Sequence, residues 1–133
     1  MITVSVKTNR RKEMIDVTHL VKKAVSDSGT NDGLVIAYVP HTTAGVTINE
    51  NADPAVPRDI LAHLEKLVPA RGDYKHMEGN SDAHIQSSLV GSSVTVILEG
   101  GTLVLGTWQS IFFCEFDGPR SRKLLVKVIP GAD

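Results

Sequence analysis

Apolar and polar residues alternate from the start of the chain. Ile2, Val4 and Val6 are interleaved with Thr3, Ser5 and Lys7, a period of two that predicts a strand with one buried face. After Asp16 the period becomes helical: Val17, Leu20, Val21, Ala24 and Val25 form one apolar face, with the Asp carboxylate as the expected cap. Leu34 to Val39 is a continuous apolar run ended by Pro40, which reads as a buried strand, and Val46 to Ile48 continues a second one after the turn. Asp53-Pro54 opens another helix, whose stripe of Ile60, Leu61, Leu64, Leu67 and Val68 stops at Pro69 and Gly72. A polar loop over 74–80 leads into a short helix over 81–89, closed by Gly91.

The last third is strand-like. Val94 to Leu98, Gly100-Gly101 and Leu103 to Leu105 form a hairpin signal, because paired glycines accept the positive φ of a type I′ turn. Trp108 to Phe116 is a long strand turned by Asp117-Gly118-Pro119. In the final strand Leu124, Val126 and Val128 alternate with Leu125, Lys127 and Ile129. Antiparallel strands with helices in the middle of the chain predict an α+β fold, and residues 1–133 are expected to form a single domain.

Composition narrows the function. Lys plus Arg total 14 against 15 Asp plus Glu, a net of -1, so the chain lacks the electrostatic footprint of a nucleic-acid binder. The basic clusters Arg10-Arg11-Lys12 and Arg120, Arg122, Lys123 read as solvated loops beside turns. No apolar run approaches signal-peptide or membrane-span length, and the lone Cys114 cannot form an internal disulfide or a cysteine-rich zinc site. A cytoplasmic protein that binds neither membrane nor nucleic acid is expected. Cys114 alternates with Phe112 and Phe116, which predicts a buried thiol rather than a nucleophile.

Common catalytic signatures are missing, and polar residues instead gather in three places. His41-Thr42-Thr43-Ala44, followed by Asn49-Glu50-Asn51 and Asp53, puts an imidazole at the end of a buried strand, where it can act as ligand or acid/base. The competing reading makes these strand, turn and helix-cap residues. His76 through His84 holds two imidazoles, two carboxylates (Glu78, Asp82) and Asn80, suited to part of a metal shell, to acid/base chemistry or to an anion at a helix N-terminus. The alternative is a hydrophilic loop and a capped helix. In Gly106-Thr107-Trp108-Gln109, an aromatic face and an amide suit a planar base, although Trp108 in the core is the simpler reading. His19 and His63 read as surface or edge residues of helices.

Taken in order, His41-Thr42-Thr43-Ala44 with Ile48-Asn49-Glu50, His76 to Asn80, Ala83-His84, Leu105 to Gln109 and Asp117-Gly118-Pro119-Arg120 resemble the YjbQ-like family over nearly the whole chain. The resemblance implies a compact antiparallel β-sandwich with flanking helices, assembled as a homotrimer. It implies a secondary thiamine-phosphate synthase, which joins hydroxymethylpyrimidine diphosphate to thiazole phosphate with loss of pyrophosphate. By carry-over, His41, Glu50, His76 and His84 are the expected catalytic residues, and Thr42, Thr43, Asn49, Asp53, Asn80, Trp108 and Gln109 the expected substrate contacts. Thr102 stands where the family pattern often carries a basic residue.

A divalent metal is also expected, in one of two forms. Mg²⁺ held by Glu50 and Asp53 would neutralise the leaving pyrophosphate, with the histidines as phosphate or proton partners. Alternatively His41, His76 and His84 would bind Zn²⁺ in a hydrolase, with Glu50 or Glu78 activating water. A non-enzymatic trimeric module that binds a small phosphorylated metabolite is the third reading.

Overall fold

The computed structural model describes residues 1–132. The strands are β1 (Ile2–Lys7), β2 (Glu13–Asp16), β3 (Gly33–Tyr38), β4 (Ala44–Glu50), β5 (Ser93–Glu99), β6 (Thr102–Leu103), β7 (Gln109–Glu115) and β8 (Ser121–Pro130). The helices are α1 (Thr18–Ser28), α2 (Ala55–Leu67) and α3 (Ser81–Val90). All strand pairs are antiparallel, in a five-stranded sheet β1-β8-β3-β5-β6 and a three-stranded sheet β2-β7-β4. The expected α+β sandwich is the fold observed.

The unbroken apolar run of β7 follows from its position in the middle layer. Ile111 and Phe113 face the core between the sheets, with Val35 and Ala37 of β3, Val96 and Leu98 of β5, and Leu124 and Val126 of β8. Phe112 and Cys114, together with Phe116 just beyond the strand, point the other way, onto Ala83 of α3 and Leu61 and Leu64 of α2. A strand covered on both faces has no polar side to alternate with, which makes it read as one long run. Burial pushes the Cys114 thiol up to about 12, so it stays protonated and inert.

Several boundaries shift for local reasons. Val17 takes the N-cap of α1, while the Asp16 carboxylate still accepts the Thr18 N–H at 2.9 Å. Strand β2 was not legible in the periodicity, because Glu13–Asp16 is four half-buried residues with no apolar alternation. The Gly100-Gly101 turn has φ of 58° and 77°, as a type I′ hairpin requires, but β6 ends at Leu103 rather than at Leu105. The apolar stripe of α2 is only partly covered: Ile60, Leu61 and Leu64 are half-buried, Leu67 is exposed, and no residue of the helix is fully buried.

One close approach shapes the end of the molecule that carries the histidines. A Cβ on Gly45 would lie 2.6 Å from the Gly91 carbonyl oxygen, which accepts the Val46 N–H at 3.1 Å. The bare backbone of β4 thus lets the end of α3 lie directly across it.

The basic clusters require correction. Lys12 donates to the fully buried Asp82 at 2.6 Å, and Arg11 grips the same carboxylate with two bonds of 3.2 Å. Arg122 is buried as well. Lys12 and Arg122 are therefore not loop surface, since an unpaired carboxylate inside the fold would be far too costly, whereas Arg10, Arg11, Arg120 and Lys123 are exposed as expected, Arg11 while still holding Asp82.

Candidate functional site

His41 stands just past β3, after Val39 and Pro40. Val39 donates to the Ser92 carbonyl at 2.8 Å, which anchors the segment to the start of β5. The His41 Nε2 accepts the backbone N–H of Lys123, on β8, at 2.9 Å. An imidazole nitrogen that accepts cannot carry a proton, so the neutral ring bears its proton on Nδ1 and can donate from there. Burial pushes the His41 pKa below its ordinary 6.5, the Arg122 charge adds to this, and Glu115 partly opposes it.

Beneath His41 lies a buried ion pair. Arg122 donates through Nε to Glu115 Oε1 at 2.9 Å and through Nη2 to the Thr43 hydroxyl at 2.8 Å. Thr8 donates to the same carboxylate at 2.7 Å and the Asp117 N–H at 3.1 Å. Burial pushes the Glu115 carboxyl up, but Arg122, Thr8 and the Asp117 amide outweigh it and hold the group below its ordinary value. The Nε and Nη2 nitrogens are committed to this network, while Arg122 also lines a cavity of about 480 Å³ with His41, Thr42, Thr43, His76, Glu78, Asn80, His84 and Arg120.

Helix α3 supplies the opposite wall. Asn80 holds its N-cap position and donates from Nδ2 to Asp117 at 2.9 Å, leaving its buried Oδ1 without a hydrogen-bond partner among the described residues. Ser87 donates to the Thr42 carbonyl at 2.7 Å and fastens the helix to the His41 segment. His84, one turn into α3, meets His76 edge-to-face with ring centroids 5.2 Å apart. Arg120 is held by the Asp117 carboxylate at 2.9 Å. The result is a cationic rim with imidazole walls, in which Glu78 is the one carboxylate among the lining residues.

The first polar cluster is divided. Asn49 and Glu50 lie at the far end of β4, where Glu50 pairs with Gln109. At about 3.3 Å per residue, seven-residue β4 puts roughly 20 Å between its ends. Asp53 accepts the Ala55 N–H at 2.9 Å and serves the start of α2. Trp108 is 65% exposed rather than in the core, and the Gln109 side-chain Oε1 accepts the Gly106 N–H at 2.7 Å inside its own turn. Thr102 and Gln109 line a separate cavity of about 510 Å³ with His19 and Lys22 of α1. Asp82 faces Arg11 and Lys12, not the cationic cavity.

The expected metal shell does not fit this arrangement. No group of three or more His, Cys, Asp or Glu side chains among the described residues is placed to hold an ion. His41, His76 and His84 share the cavity, but His41 spends Nε2 on Lys123, Glu50 ends β4 at its far end and Asp53 lies beyond it. Arg122 is the site residue that the sequence reading missed. Its signal was parity: it is two residues before Leu124 and four before Val126, on the inward face of β8.

The profile of the family described as "UPF0047 protein YjbQ-like" matches residues 2–131. The chain belongs to the YjbQ/UPF0047 family. Among YjbQ-family relatives, it is 56% identical over 124 residues to UPF0047 protein MJ1081 of Methanocaldococcus jannaschii, spanning 93% of this chain and 90% of that protein. It is 50% identical to YugU of Bacillus subtilis, over 96% of this chain and 97% of that one. The crystal structure of an uncharacterised YjbQ/UPF0047 protein from Clostridium acetobutylicum superposes with a TM-score of 0.95 at 60% identity, covering 97% of this chain and all of that one. A hypothetical protein, APE1520, from Aeropyrum pernix gives a TM-score of 0.92 at 40% identity over 97% of both chains.

Proposed function

We propose that this YjbQ-family chain binds small phosphorylated metabolites in the His41–Arg122 cavity and acts there as a thiamine-phosphate synthase. In that reaction the thiazole nitrogen forms a bond to the pyrimidine methylene carbon, the carbon–oxygen bond to the diphosphate breaks, and pyrophosphate leaves. One observation carries the reading: a neutral His41, with its Nδ1–H free to donate, stands beside the buried Arg122 guanidinium in a cavity that also holds Arg120, His76 and His84. Preorganised cations and N–H donors stabilise the charge that develops on a departing phosphate oxygen. His84 or His76 is the proton donor to that oxygen.

Incubating the purified protein with both substrates and separating the products by chromatography tests this. Thiamine phosphate should exceed a heat-killed control and fall on the order of a hundredfold in His84→Ala. Phosphate binding with no product would replace the synthase by a binding module.

A homotrimer is proposed alongside, supported by the outer face of the five-stranded sheet. There Leu34 of β3 is flanked across the strands by Ile97 and Ile129, and these three, with Tyr38, are 40% to 58% exposed. An uncovered apolar row of this kind marks an interaction surface.

A further inference from the structure

His76 and His84, whose ring centroids are 5.2 Å apart, line a second cavity as well. This cavity of about 390 Å³ is lined by both imidazoles, Tyr74, Lys75 and Ile85, and not by Arg122. Its character differs from that of the cationic side. Ile85 of α3 is 39% exposed at its edge. Tyr74 is pinned in place: its hydroxyl donates to the Pro69 carbonyl, and its ring rests against Gly72, where a Cβ would come within 3.0 Å of the ring. A preset aromatic wall, an aliphatic wall and an edge-to-face imidazole pair are what a planar ring requires. Lys75 and Asp73 stand together in the lining, so the pocket has no strong net charge to repel or recruit an ion.

Both cavities are lined by His76 and His84, so they adjoin at the imidazole pair. We propose that the Tyr74–Ile85 cavity is a ring subsite, and that the protein selects phosphate esters of aromatic or heteroaromatic alcohols, with the phosphate at Arg122 and the ring against Tyr74. This rests on the phosphate reading of the His41–Arg122 cavity. It assigns the planar ring to Tyr74 rather than to Trp108, which lies at the far end of β4.

Calorimetric titration with phenyl phosphate, methyl phosphate and inorganic phosphate tests the assignment. Phenyl phosphate should bind about tenfold more tightly than methyl phosphate, the return expected for one buried aromatic contact. Tyr74→Ser should reduce phenyl phosphate to the level of methyl phosphate and leave methyl phosphate within twofold of wild type. Ile85→Ser, on the helix surface, gives the same readout if the loop substitution disturbs folding. Equal binding of phenyl and methyl phosphate, or an equal loss of both in the variants, overturns the ring subsite and leaves the phosphate site standing. Absence of binding by all three overturns both.

Discussion

A histidine side chain becomes a donor or an acceptor according to what its neighbours already hold. His41 is set by the Lys123 N–H, which only an unprotonated Nε2 can accept, while burial, joined by the Arg122 charge, lowers its pKa. The direction of linkage follows: the unfolded chain takes up a proton near the ordinary 6.5 before the folded one does, so the contribution of His41 to stability is full above that pH and is lost as pH falls through the lower folded value. A nitrogen-detected NMR titration should find His41 titrating below 6.5, with Nε2 unprotonated at pH 7. A value at or above 6.5 would remove the basis for assigning it as a neutral donor.

Strand β8 ties the site to the core. Its inward residues are Arg122, Leu124 and Val126, and the first of these meets Glu115 instead of another apolar side chain. Removing one partner of such a pair leaves a buried charge, so Arg122→Met should cost about 3–5 kcal/mol in urea unfolding at pH 7. Glu115 is held below its ordinary 4.5, hence its contribution is full above that pH and is lost as the medium is acidified through the folded value. Glu115→Gln should lack this acid-dependent component in the same unfolding series. Across α2 and α3, Gln86 plays a comparable part without charge, donating to the Leu64 and Val68 carbonyls at 3.2 and 3.1 Å. These contacts explain why α3 can present His84 rigidly although α2 has little buried surface of its own.

At the scale of the whole molecule, the three-stranded sheet is covered on both faces and the five-stranded sheet on one. No helix among the described residues is long and apolar enough to cross a membrane, so the Ile97–Leu34–Ile129 row is not part of a helical span. Leu34→Lys puts a charge at the centre of that exposed row, and light scattering should then show a single-chain species in place of the proposed trimer. An unchanged trimer would move the interface elsewhere, with the partly covered stripe of α2 as the next surface to substitute.

Most elements were legible in the sequence because each depends on near neighbours: the period of two in β1 and β8, the helical stripe of α1, the glycine pair at Gly100-Gly101 and the thiol alternating with Phe112 and Phe116. The ordered motifs also carried the family, since they span almost the full chain. Which polar residues would meet was not legible. His41 and Glu50 are nine positions apart, yet the extended strand β4 separates them, His41 before its start and Glu50 at its far end, whereas Arg122 reaches His41 because β3 and β8 pair with Tyr38 opposite Leu125. Local pattern determines the elements through steric and hydrophobic preferences that act over a few residues. The site depends on strand register and layer packing, which join residues far apart in the chain and are decided only when the tertiary structure closes.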